Sequence, residues 1–337
     1  MTTTAPPRRL MPQNLDDWPA LVMGSNPKPE QSEQITDELR NAFAVFNQRI
    51  ATFATSDTRR VREAVRQAHF ENDHAPYGSA ACVILSGRPL SGKTHAALFC
   101  AFSETRATWS ALPHDPNDPT RDRSIPWIYV EVPKEGRGHS VLKAMWTFCG
   151  APPLPAHSAN ASDYLAALRR IAPRIGLRGI VIDDTHGVGA RQSQESRLLA
   201  DTMKTLVTGL PATLLFLGTG FTESGVLHGS AGDQVRLRGA QWIDVGRWDS
   251  PVRGQIGDWD NLSRELSQRL LLPSPRAQVR LTRRRVLERL VEGSGQRPGL
   301  ATVWAKRAAT YAAWHDVDLD LVALDATHGQ LIEGRGA

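Results

Sequence analysis

The stretch that most narrows what this chain can be is Gly87-Arg-Pro-Leu-Ser-Gly92-Lys93-Thr94. It is a complete G-x-x-x-x-G-K-T. The apolar run Ala80–Leu85 precedes it, and helical periodicity begins at Thr94. A strand, a glycine-bearing loop and the first turn of a helix, in that order, make a phosphate cradle. The glycines let backbone N–H groups wrap an anion, and the helix N-terminus adds a favourable dipole. This reading gives the nucleotide to Gly87, Arg88, Pro89, Leu90, Ser91, Gly92, Lys93 and Thr94. Lys93 would reach the β- and γ-phosphates, and the Thr94 hydroxyl would ligate Mg²⁺. The plain alternative is a glycine turn joining strand to helix.

Around the motif, strand and helix alternate. Short apolar runs at Trp127–Val132, Gly179–Ile182 and Thr213–Leu217 read as strands. Thr94–Trp109, Ser140–Cys149, Ala161–Ile171 and Ser196–Leu210 read as the helices between them. Such βαβ alternation predicts an α/β fold with a largely parallel sheet flanked by helices. Strand signals stop near Ser250. Trp259, Leu262, Leu266 and Leu270 then form one helical stripe, and Leu281–Val291 and Leu300–Trp314 continue as helices. The expected layout is a disordered tail over 1–35, a helical N-terminal region over 36–78 and the P-loop core over 79–250. A helical C-terminal subdomain follows over 251–324, then a tail over 325–337.

Composition sets the outer bounds. A chain of 337 residues that is 41% hydrophobic and 22% charged can bury a sizeable core and is not disordered throughout. Its apolar stretches fall far short of the ~20 residues that span a membrane. The opening MTTTAPPRRLMPQN lacks the apolar centre of a secretory signal. Cys82, Cys100 and Cys149 are widely spaced in apolar segments and read as reduced core residues, so a cytoplasmic location is expected. The net charge of +5 rests on 34 Arg and six Lys. Arg suits phosphate contacts, although a GC-rich genome gives the same bias.

Three further segments fit a nucleotide site once the P-loop is accepted. Ile180-Val-Ile-Asp183-Asp184 is an apolar strand ending in two carboxylates, a Walker B element in form. Asp183 would hold Mg²⁺ through water, and Asp184 would polarise the attacking water; by themselves two such residues also suit a turn or helix cap. Thr219 closes the strand Thr213–Leu217 as a candidate γ-phosphate sensor, or simply as a strand-to-turn boundary. Arg238, with Arg236 behind it, could reach a neighbouring subunit's nucleotide, or be a solvated arginine. Arg297, before the last long helix, could close onto the phosphates. His186 is expected to orient the Walker B loop and not to bind metal.

In this order the segments resemble an AAA+ ATPase and, more narrowly, the TniB/TnsC-like ATPases of DNA transposition. The resemblance covers roughly residues 55–315. It is carried by Arg59–Val65, the P-loop, Ile125–Pro133 and Ile182-Asp-Asp-Thr-His186, where the family reads I-D-E-A-H. Leu217-Gly-Thr219, Gln234–Arg238 followed by Trp248, and Arg297-Pro-Gly-Leu complete it. It implies an AAA+ P-loop NTPase core with a helical lid, ATP and Mg²⁺ as ligands, and ATP hydrolysis. It also implies homo-oligomerisation on duplex DNA with ATP, and a DDE-type transposase as the partner recruited or activated. Lys134 and Arg137 are the first candidates for DNA contact, then Arg121 and Arg123. Arg280, Arg283, Arg284, Arg285 and Arg289 could meet phosphate or an acidic partner, or form an exposed helix face. Two departures, Asp184 for Glu and Gly239 for an aromatic residue, imply slow hydrolysis. A STAND-type nucleotide switch and a helicase-loader-like ATPase are the competing readings.

Overall fold

The computed structural model describes residues 28–50, 53–74, 80–112, 124–133, 138–155, 160–185, 194–219, 221, 240–249, 251 and 256–333. In chain order they form α1 (Asp37–Arg49), α2 (Ser56–His74), β1 (Cys82–Ser86), α3 (Lys93–Ala111), β2 (Trp127–Glu131), α4 (Gly138–Phe148), α5 (Ala161–Ile171), β3 (Gly179–Asp183), α6 (Gln194–Gly209), β4 (Thr213–Gly218), β5 (Gln241–Asp244), α7 (Asp258–Arg269), α8 (Arg284–Gly293), α9 (Pro298–His315) and α10 (Leu321–Glu333). None of the described helices is long and apolar enough to cross a membrane.

The chain divides into two compact units. One takes Arg60–Ser86 and Ala96–Asp244; the other takes Ser25–Arg59, Gly87–His95 and Val245–Ala337. The first holds a five-stranded parallel sheet in the order β2-β3-β4-β1-β5. Strands β1, β3 and β4 are buried along their whole length, as their unbroken apolar sequences require when both faces of a sheet are covered. The register aligns Ser86 with Gly218, Ile182 with Phe216 and Glu131 with Asp183. The C-terminal ends of β1, β4, β3 and β2 therefore share one edge, the edge where ligands of open α/β sheets gather. A buried polar chain ties α2 and α3 to this sheet: Trp127 Nε1 donates to Glu104, whose carboxylate also meets His69 Nε2. His69 Nδ1 in turn lies 2.9 Å from the Thr213 hydroxyl. Cys82 and Cys100 are free thiols in this core, and Cys149 is free and partly buried; burial pushes Cys82 and Cys149 up to about 12.

The second unit is helical, with its own core. Phe46, Ile50 and Phe53 from the N-terminal stretch join Trp259, Leu266, Leu290, Trp304 and Ala308 from the C-terminal stretch. Helix α9 packs against α1 and α10. An N-terminal region and a lid, expected as separate segments, here share a single core, and Gly87–His95 falls in the same unit. The expected tails also end sooner. Gln31 Nε2 donates to Leu272 O and Ser32 N–H to Pro273 O, while α10 carries order to Glu333.

Candidate functional site

The P-loop and the walls around it lie within the second unit. Lys93 opens α3, is 8% exposed, and turns its ammonium back onto two carbonyls of its own loop, Gly87 O at 2.8 Å and Arg88 O at 2.9 Å. Ser91 N–H donates to Arg88 O, closing a tight turn. Leu90 is the loop's irregularity: a branched residue at φ 62, with its side chain 51% exposed. That left-handed conformation costs an L-residue roughly 1–2 kcal/mol and persists only where the surroundings enforce it.

Both sides of the loop supply the enforcement. The first turn of α9 lies on it, with Leu300 N–H donating to Leu90 O at 3.2 Å. A Cβ on Gly299 would sit 2.6 Å from Leu90 O, so only glycine lets α9 approach this closely. From the other side Gly246, at φ +75, comes within 2.7 Å of Ser91 by the same measure. Asp57, buried in the first turn of α2, fixes that second wall by accepting from Gly246 N at 2.8 Å and Trp248 Nε1 at 2.9 Å.

These walls enclose a cavity of about 340 Å³ beside Lys93 and Thr94, within the range of small-ligand pockets. Phe53, Val245, Trp248, Leu262 and Val303 supply its apolar lining. Phe53 is gripped from several sides: its ring stacks on His95 at 6.0 Å, with Lys306 Nζ at 5.6 Å and Arg269 at 5.8 Å from its centroid. His95 Nε2 also lies 3.1 Å from Phe53 N and 2.9 Å from Phe53 O. Lys306 donates to Ile50 O and Gln48 O, and burial lowers its pKa to about 8. The Ser91 hydroxyl is buried with no partner among the described residues, an orphaned polar atom in a loop shaped to meet oxyanions.

At the strand ends of the first unit, Asp183 is 8% exposed and engaged on both oxygens: Asp184 N–H donates to Oδ1 at 2.8 Å and Tyr129 Oη to Oδ2 at 2.9 Å. Asp184 is exposed and left-handed, at φ 60. Thr219 follows β4 with its hydroxyl buried and unpartnered among the described residues. Thr185 is tied to β4 through Leu217 O, which accepts both its N–H and its hydroxyl. The hydroxyl of Thr94 and the carboxylate of Asp183 are hard oxygen donors of the kind Mg²⁺ takes.

Sequence reading names the loop, Asp183, Asp184 and Thr219 as candidates and does not name most of the cavity walls. Phe53, Asp57 and Lys306 lie far from the motif in sequence and carry no local signature, while Trp248 is visible only as part of the family pattern. Arg297 is the N-cap of α9, and its Nε donates to Ser294 O; it is not among the residues lining the cavity. Lys134, Arg137, Arg121, Arg123, His186, Arg236 and Arg238 lie outside the described residues.

No protein-family model matches the chain, and no curated protein matches its sequence. Solved structures do match its fold. The Aeropyrum pernix ORC2 protein, in ADPNP-ADP complexes, superposes with a TM-score of 0.55 at 17% identity over 80% of this chain and 67% of that one. CDC6P from Pyrobaculum aerophilum gives 0.50 at 12% over 89% and 67%. The Aeropyrum pernix ORC1 protein in complex with DNA gives 0.50 at 14% over 82% and 64%. At such identities the likeness is one of fold. A parallel sheet in the order β2-β3-β4-β1-β5, flanked by helices and matched by these structures, gives the chain the fold of an AAA+ ATPase.

Proposed function

We propose that the chain is an ATP-dependent, DNA-binding AAA+ regulator of DNA transposition. It assembles on duplex DNA when ATP is bound and recruits or activates a DDE-type transposase. The observation that carries the nucleotide part is the P-loop itself, with Lys93 buried on the loop carbonyls beside a cavity of about 340 Å³. Transposition is supported by the ordered set of sequence motifs. A fold neighbour solved in complex with DNA favours the same ligand class.

In this reading the loop N–H groups and Lys93 hold the phosphates, and the apolar lining of Phe53, Trp248, Leu262 and Val303 receives the base. The unpartnered Thr219 hydroxyl reads the γ-phosphate or its water. Thr94 and Asp183 would hold Mg²⁺, which when bound neutralises charge on the phosphates. Arg238 acts on a neighbouring subunit's nucleotide, Arg297 answers to the phosphates from the lid, and Lys134 and Arg137 follow the DNA backbone.

The test is binding of labelled duplex and single-stranded DNA at two salt concentrations with no nucleotide, ADP, ATP or a non-hydrolysable analogue. Cooperative, salt-sensitive duplex binding only with ATP or the analogue is the expected result. Preference for single strands would favour a helicase-loader-like ATPase. No DNA binding in any state, with nucleotide still bound, would move the reading to a STAND-type switch.

A further inference from the structure

Helix α9 carries one amine to the cavity beside the P-loop whose surroundings are not those of an ordinary lysine. Lys306 lines that cavity. Its Nζ donates to Gln48 O at 3.3 Å and to Ile50 O, in the last turn and at the C-cap of α1. Its third neighbour is the ring of Phe53, with the centroid 5.6 Å away. No carboxylate stands within ion-pair distance of it among the described residues. The nearby charges are engaged elsewhere or repeat its own sign. Glu265 pairs with Arg269 at 2.8 Å, Arg269 and His95 share Phe53 with Lys306, and Asp57 accepts from Gly246 N and Trp248 Nε1.

Stereochemistry decides what this amine can do. A protonated amine has three N–H donors and here meets two oxygens among the described residues. A neutral one has two donors, which match Gln48 O and Ile50 O and leave its lone pair unshared. Burial favours the neutral form, lowering the pKa from 10.5 to about 8. At pH 7 about a tenth of the amines are then neutral, against fewer than about one in a thousand for an exposed lysine. A lysine desolvated in an apolar pocket is an activated nucleophile. The rest of the cavity selects the reagent it meets: about 340 Å³ of space beside a loop built to hold phosphate. A molecule that is small, carries phosphate and is electrophilic at carbon is an acyl phosphate.

We propose that Lys306 is a modification site, acylated at its ε-amine by an acyl phosphate that enters this cavity, and that the acyl group then shuts ATP out. The nitrogen lone pair bonds to the acyl carbon. The bond from that carbon to the phosphate oxygen breaks, inorganic phosphate leaves with the electron pair, and the surplus proton on nitrogen passes to it. The product is an amide with a single N–H and no charge. It can serve Gln48 O or Ile50 O but not both, and its acyl group takes up space beside Phe53. The exclusion of ATP rests on this cavity being the nucleotide site; the acylation does not.

The experiment incubates the full chain with acetyl phosphate from about pH 6 to 10, with and without ATP, and maps the acetylated lysines by mass spectrometry. Titration calorimetry then measures ATP affinity before and after treatment, for the wild type and for K306M. Lys306 should react at least about tenfold faster than the exposed Lys28 at pH 7, with a rate that levels off above about pH 8 and falls when ATP is present. Treatment should weaken ATP binding about tenfold in the wild type and leave K306M as it was. Reaction at Lys306 no faster than at Lys28, or preference for Lys93, overturns the proposal. So does ATP that binds without slowing the reaction, or a treated K306M that loses as much affinity as the wild type. A chain that is acetylated at Lys306 but binds no ATP before treatment keeps the modification site and removes the nucleotide reading instead.

Discussion

Lys93 and Lys306 line the same cavity, and each rests its ammonium on two carbonyl oxygens. Lys93 can exchange the carbonyls of its own loop for phosphate oxygens, a charge-assisted bond of about 1.5–3 kcal/mol. Lys93→Ala is expected to weaken ATP binding about tenfold to a hundredfold by titration calorimetry, and to shrink the rise in Tm that ATP gives the wild type at matched concentration. Lys306 answers to pH instead. Burial lowers its pKa from 10.5 to about 8, so between those values the unfolded chain binds a proton that the native chain has released. Below about 8 the cost of the buried charge is fully present; it is relieved as pH rises towards 10.5, and stability from this group increases across that window. The difference in Tm between wild type and Lys306→Met, followed from pH 7 to 10, should move in the wild type's favour above pH 8. A flat difference would contradict the assignment. Trp248→Phe removes one donor from the buried Asp57 carboxylate and should cost about 1–3 kcal/mol in urea unfolding.

At the scale of elements, α9 and the P-loop meet in a contact that leaves no room for a methyl group. Gly299→Ala puts a methyl 2.6 Å from Leu90 O, so α9 or the loop must shift. About 1–3 kcal/mol of stability should be lost, with weaker ATP binding. Gly329→Ala, in α10 with open space around it, should gain about 0.5–1 kcal/mol and leave ATP binding alone. Thermal melts and nucleotide titrations on the pair separate a clash at the loop from a general effect of adding a methyl. What the sequence announces at this scale follows its periodicity. Ala161–Ile171 is legible to the residue because Asn160 and Asp163 form a capping box ahead of a clear apolar stripe. β1, β3 and β4 are legible because strands buried on both faces must be apolar throughout. β5 escapes notice: Gln241-Trp-Ile-Asp244 is short, half-exposed and polar at both ends, an edge strand held by pairing with β1. α10 escapes because Asp325, Thr327 and Gly329 interrupt its apolar run. Helix α8 starts at Arg284, later than the expected Leu281, since Leu281 and Thr282 lie in a turn closed by Arg283 N–H onto Arg280 O.

For the molecule as a whole, the second unit is the less predictable from sequence because it is assembled from distant stretches. Its core depends on Phe46, Ile50 and Phe53 as much as on the helices that follow Val245. Each of those side chains contributes about 1.5–3 kcal/mol when buried, and together they approach the 5–15 kcal/mol margin of an ordinary domain. A fragment of residues 245–337 should accordingly show no cooperative melt by circular dichroism, whereas one sharp transition would mean that the C-terminal helices suffice. The same interlacing has a consequence in time. A ribosome delivers the chain from the N-terminus, and the strands of the first unit are complete once Asp244 has emerged. The P-loop has by then been outside for well over a hundred residues, yet Val245, Trp248, Gly299 and Lys306, which wall its cavity, have still to emerge. A nascent chain thus displays the phosphate-binding motif long before it has a pocket. Nucleotide capture must wait until α9 is out.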